Sequence, residues 1–180
     1  MAIRDIVLMG DPVLRREADE VTVFDDDLKA LVRDMFETMY HADGIGLAAP
    51  QIGLSQRIIV VDIRRPDEEA EGEPERVALI NPVVTEESRE TYKQSEGCLS
   101  IPGLEEVVER PMWVRVEGQD VDGNDIVIEA DDLFGRALQH EIDHVDGVLF
   151  VDRVSALKRR MLLKKWKKLE AERALEEQKA

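Results

Sequence analysis

The stretch DDLFGRALQHEIDHVDG, residues 131–147, decides how the rest of the chain is read. Asp131 or Asp132 suits a helix N-cap, because a short carboxylate side chain accepts from the free amides of a first turn. Gly147 suits the left-handed residue that closes a helix. Between them Phe134, Leu138, Ile142 and Val145 recur at intervals of three and four, which predicts one amphipathic helix to about Asp146. The same helix carries His140-Glu141-x-x-His144. Residues four apart stand one turn above each other, with Cβ atoms about 5–6 Å apart. Two imidazoles so placed reach one ion at the ~2.0–2.1 Å that metals require. Glu141, about 100° further round the helix, flanks such an ion without having to ligate it. That is the place of a general base acting on a metal-activated water.

Two histidines do not complete a site. The chain has one cysteine, Cys98, in SEGCLSIPG (95–103), and it is the best third ligand available. A free cysteine is commonly just a small buried hydrophobe; here Gly97 and Pro102 predict a bent segment that brings the thiol to a defined spot. A structural zinc site is closed by four protein ligands. With Cys98, His140 and His144 used, only His41 remains, and it reads as a solvated residue at the end of another helix. Three protein ligands leave a position open, the arrangement of a catalytic centre.

That other helix is predicted over 25–42, where Leu28, Leu31, Val32, Met35, Phe36 and Met39 form one stripe, Asp25 or Asp26 caps and Gly44 follows the end. GIGLAAPQIG (44–53) is too rich in Gly and Pro for a helix interior. RIIVVDI (57–63) reads as a buried strand, and further strands are predicted at 77–84, near 104–109, at 112–121 and at 124–129, the last two joined at Asp122-Gly123. Residues 66–76 read as an acidic, mobile loop. A third helix begins near Ser155, with Leu157, Met161, Leu162, Trp166 and Leu169 as its inner stripe. The fold class is α+β: antiparallel strands packed around a central His-Glu-x-x-His helix, with a C-terminal helix. Residues 1–154 form the catalytic domain and 155–180 a basic helical extension of it.

Length and hydropathy fit one globular domain of 180 residues, and no apolar run approaches the ~18 residues of a membrane span. The N-terminal stretch has no signal-peptide pattern, and a lone free thiol suits a reducing compartment, so a cytoplasmic location is expected. The net charge of −16 argues against DNA as a partner. The charge is uneven, however: residues 155–180 carry nine Lys/Arg against four Asp/Glu, which leaves room for an acidic or RNA-rich partner at the tail.

GIGLAAPQ (44–51), EGCLS (96–100) and HEIDH (140–144) together resemble the three signature motifs of peptide deformylases, in the same order. The resemblance covers most of residues 1–170. It implies removal of the formyl group from formylmethionyl nascent chains, with one divalent ion, natively Fe(II) with Zn, Ni or Co as substitutes, held by Cys98, His140 and His144. It implies Glu141 as acid–base, Gln51 and the backbone N–H of Leu99 as oxyanion donors, and Gly44, Ile45 and Gly46 as a substrate-binding segment. It also implies a Glu96–Arg110 pair behind the cysteine loop, and ribosome docking through the basic stretch Lys158–Lys168. Val145 stands where the family more often has leucine. Glu105 and Glu106 add acidic residues near the substrate approach and are expected to affect peptide preference. Two other readings compete. A metallopeptidase would need a downstream ligand such as Asp146, Asp152 or Glu170. A catalytically silent ribosome-binding relative would have no use for Glu141 and Gln51.

Overall fold

A computed structural model describes residues 2–64 and 76–180. The acidic 66–76 loop therefore lies outside the described residues, apart from Arg76. The elements are α1 (Asp26–His41), β1 (Gly46–Ala48), β2 (Ile58–Asp62), β3 (Arg76–Glu87), β4 (Thr91–Gly97), β5 (Glu105–Pro111), β6 (Trp113–Gln119), β7 (Asp125–Asp131), α2 (Asp132–Val145) and α3 (Ala156–Lys179). An antiparallel sheet runs β1-β2-β3-β6-β7, and β4 and β5 form a separate antiparallel ribbon.

Strand β2 explains the layering. All five of its residues are buried, as a continuous β-branched run requires when both faces are covered. Alternate side chains point to opposite faces of a strand. Ile59 and Val61 accordingly pack with Leu138, Ile142 and Val145 of α2, while Ile58 and Val60 pack with Val32, Met35 and Met39 of α1. A third cluster joins Leu162 and Trp166 of α3 to Ile101, Leu104 and Val108 beside the cysteine loop. Helix α2 thus lies between the sheet and the β4–β5 ribbon, the central placement expected of it.

Several local expectations are corrected. Helix α1 is capped by the Asp25 side chain, which accepts from the Leu28 amide at 2.9 Å. The left-handed residue past its end is Asp43 (φ 55°), with Gly44 one place later donating back to the Met39 carbonyl. Strand β4 was not predicted, because TYKQSEG has few apolar residues and only Glu96 of the strand is buried. Strand β1 emerges inside the Gly-rich 44–53 segment. In α3, Leu157 and Met161 are exposed at 65% and 63%, so they do not belong to the inner stripe. That stripe is set by Leu162, Trp166 and Leu169. Gly147 closes α2 at φ 76°, where a Cβ would stand 2.8 Å from the Arg15 carbonyl oxygen; both facts demand glycine.

Candidate metal and active site

Helix α2 is buried from Gly135 through Val145. Its apolar side faces the sheet, and its polar side faces the β4–β5 ribbon and a cleft of about 740 Å³. Cys98 follows directly on β4, and the Cys98 carbonyl accepts from the Ile101 amide, closing the turn that presents the thiol. Among the described residues Cys98, His140 and His144 form the one group of three metal-type donors, with all ligand atoms within 4.8 Å of one another. Cys98 Sγ lies 3.3 Å from His144 Nε2, which is itself 3.3 Å from His140 Nε2. A tetrahedral ion of ordinary bond lengths would want about 3.6 Å and about 3.4 Å for such pairs. The donors fit one ion.

The tautomers agree. His140 Nδ1 lies 2.9 Å from Glu96 Oε1. An ionised carboxylate can only accept, so Nδ1 carries a hydrogen and Nε2 is the ring nitrogen that faces the other two donors. The pKa values of the two imidazoles are pushed in opposite directions. Burial works against a charge on His140, but hydrogen bonds with Cys98 and Glu96 outweigh it and hold its pKa well up. Burial and the neighbouring His140 charge push His144 well down.

Glu96 anchors the arrangement. Burial alone would raise its pKa, yet it is held well below the usual carboxylate range by Arg110 and His140. Arg110 donates to both carboxylate oxygens at 2.6 and 2.8 Å, and Arg136 donates to Oε2 at 2.5 Å. Arg110 also donates to Asp143 at 2.9 Å, and Asp143 is gripped from outside by Arg153. The Glu96–Arg110 pair was expected; Arg136, Asp143 and Arg153 were not. Arg136 stands four residues before His140 and Asp143 three after it, so helical spacing alone could have flagged both.

Glu141 is buried beside the ligands, and Oε2 has no hydrogen-bond partner among the described residues. Burial pushes its pKa up to about 7. Gly46 is what makes room for it: a Cβ there would stand 2.5 Å from Glu141 Oε1. Gln51 is held by the Ala48 amide donating to its Oε1 at 2.9 Å, which turns Nε2 towards Ser100 Oγ at 3.2 Å and Cys98 Sγ at 3.5 Å. Ser100 was another residue that sequence reasoning did not single out. Gly44, Ile45, Gly46 and Leu99 line the same cleft.

The sequence matches the family profile described as "Polypeptide deformylase" over residues 3–160. The chain belongs to the peptide deformylase family. A peptide deformylase of Acidobacterium capsulatum is 48% identical over 173 residues, covering 94% of this chain and 97% of the relative. One of Natranaerobius thermophilus is 52% identical, with 85% and 93% covered. The crystal structure of a peptide deformylase from Legionella pneumophila superimposes with a TM-score of 0.85 at 42% identity, covering 96% of this chain and 98% of that one. Membership implies a divalent metal, and the three donors are a group that could hold it.

The metallopeptidase alternative fails on geometry. Asp146 is paired with Arg57 at 2.9 Å, and Asp152 with Arg15 and Arg159. Neither these nor Glu170 joins the donor cluster. His41 is exposed at the end of α1 and is likewise not part of it.

Proposed function

We propose that this chain, as an enzyme of the peptide deformylase family, hydrolyses the N-terminal formyl group of formylmethionyl nascent chains with Cys98, His140 and His144 holding the ion. The observation that carries this reading is the unpartnered, buried Glu141 carboxylate beside three convergent metal donors. A divalent ion supplies Lewis acidity, polarising a carbonyl and making water a competent nucleophile near neutral pH. Glu141 takes the proton of the attacking water and delivers it to the departing amine. The Gln51 amide, fixed through its Oε1, donates to the oxygen on which negative charge grows. The Leu99 N–H, which makes no hydrogen bond among the described residues, is the second donor. One thiolate and two imidazoles suit Fe(II), and the same set accepts Zn, Ni or Co.

Substrate orientation follows from the strand edges. β1 is the outer strand of its sheet, and only β5 pairs with β4 among the described residues. The cleft lies between these two edges, lined by Gly44–Gly46 on one side and Ser95–Leu99 on the other. A peptide adding as an extended strand between them satisfies its own backbone. That mode suits an enzyme acting on many sequences. The methionine side chain then has Ile45, Leu133 and Ala137 as apolar lining.

The test is formate release from a formyl-Met peptide. It should be abolished by a strong chelator and restored by Fe(II) under anaerobic conditions; activity that persists after complete metal removal would refute it.

No helix of the described residues is long and apolar enough to cross a membrane. A cytoplasmic location is proposed because the substrates emerge there. Residues 1–154 and 155–180 are proposed to be one domain, since Leu162 and Trp166 of α3 share a core with the cysteine loop. The basic part of α3, with Lys164, Lys167 and Lys168 exposed, is proposed to make a transient ribosome contact. Deleting the helix would remove core residues as well as charge, so substitution is the cleaner experiment. Changing these three lysines to glutamate should lower co-sedimentation with ribosomes at least about tenfold at low salt. Unchanged co-sedimentation would remove the proposal.

A further inference from the structure

We infer that Glu105 gives this enzyme a charge preference at the residues just behind the formylated methionine, favouring a basic side chain over an acidic one. The inference deepens the deformylation reading and rests on it. In the β4–β5 ribbon Gly97 stands directly opposite Glu105. Cross-strand partners project from the same face, but Gly97 has nothing to project. The Glu105 side chain lies over the vacant place: a Cβ at Gly97 would be 3.5 Å from its Cγ and 3.8 Å from Oε1. Both residues line the cleft.

A peptide strand laid along the free edge of β4 would stand about 4.8 Å beyond it. Its residue beside Gly97 projects on the face that Glu105 occupies, with no side chain between them. With alanine or anything larger at position 97, a side chain would intervene. Glu105 is exposed and makes no ion pair among the described residues, so its carboxylate is available to a substrate. Its neighbour is not equivalent: Glu106 is bonded to Lys158 at 3.3 Å and to the Val107 amide, and its strand position turns it to the opposite face. Among the other charged residues lining the cleft, Glu96 is paired with Arg110 and Arg136, and Glu141 stands at the reaction centre. That leaves Asp43 beside the Gly-rich segment and Lys165 of α3, which oppose each other in sign, so Glu105 tips the balance of the described residues to negative.

Matched formyl-Met peptides carrying lysine, glutamine or glutamate at the second or third position test this. In the metal-loaded native enzyme, kcat/KM should favour lysine over glutamate about five- to tenfold at one of the two positions at low salt. The ratio should approach one in E105Q, invert in E105R and shrink as salt is raised. A native enzyme indifferent to charge, or a preference that survives undiminished in E105Q, overturns the inference. The glutamine peptides report the activity itself. Formate release from none of them would refute the deformylation reading and this inference with it, whereas equal turnover of all peptides refutes only the latter.

Discussion

Replacing Glu141 by alanine is expected to lower kcat for formate release by about 10²- to 10⁴-fold while one equivalent of metal stays bound. The expectation follows from where the side chain sits and what it does not touch. His140 and His144 share its helix and converge with Cys98, but Glu141 is not one of the three converging residues. Removing its carboxylate therefore leaves the donor set whole. Its Oε2 makes no hydrogen bond that holds the fold together, so truncation breaks no internal bond of that atom. The loss should fall on kcat with KM little changed, because the proton is moved in the transition state and not in the ground state. Glu141→Gln keeps the shape and loses the same function, which separates proton transfer from packing. Undiminished turnover in either variant would sink the mechanism. Loss of the metal along with the rate would make Glu141 a structural residue instead.

Glu96→Ala is expected to have the largest effect on stability. Its two oxygens receive Arg110, Arg136 and the Nδ1 hydrogen of His140. Arg110 and Arg136 have side chains only 4% and 2% exposed, so neither cation can turn to water when the carboxylate goes. Asp143 still meets Arg110, but Arg136 is left with carbonyl partners alone. Removing one partner of such a buried pair typically costs about 3–5 kcal/mol. Releasing the Nδ1 hydrogen also frees the ring that offers Nε2 to the ion, for which about a 10- to 100-fold loss of metal affinity is usual. Denaturant unfolding and anaerobic metal titration would show both. The pH dependence has a definite sign. Glu96 is held below its ordinary value of 4.5, so its contribution is present above that pH and lost as pH falls further. The variant should lose stability less steeply than the native chain on acidification. Equal stability of the two at neutral pH would show that the network is ornamental.

The three motifs were legible because their chemistry is local. HEIDH presents two ligands one helical turn apart whatever surrounds it, and the single cysteine left little choice of third donor. The helices were readable from apolar spacing, and β2 from its uninterrupted β-branched run. Less legible were features whose cause lies elsewhere in the chain. Strand β4 has no hydrophobic pattern because it belongs to a two-stranded ribbon with one edge open to the cleft. Leu157 and Met161 follow a plausible helical spacing, but the apolar surface that α3 meets begins only at Leu162. Periodicity says that a stripe exists; which part finds a partner depends on the partner's length.

By itself the sequence determined the α+β pattern and the family and singled out the residues proposed as ligands and acid–base, since each rests on residue identity or on spacing within one element. Only the tertiary structure decided that α2 is buried all round from Gly135 to Val145. Its polar side reads as a solvated face, yet its Arg136, His140 and Asp143 meet Glu96 and Arg110 from distant segments. The physical reason is that charges are tolerated in the interior only when opposite charges are brought to them. That matching is made between residues of a helix and a ribbon 33 to 44 positions apart, where no local pattern reports it.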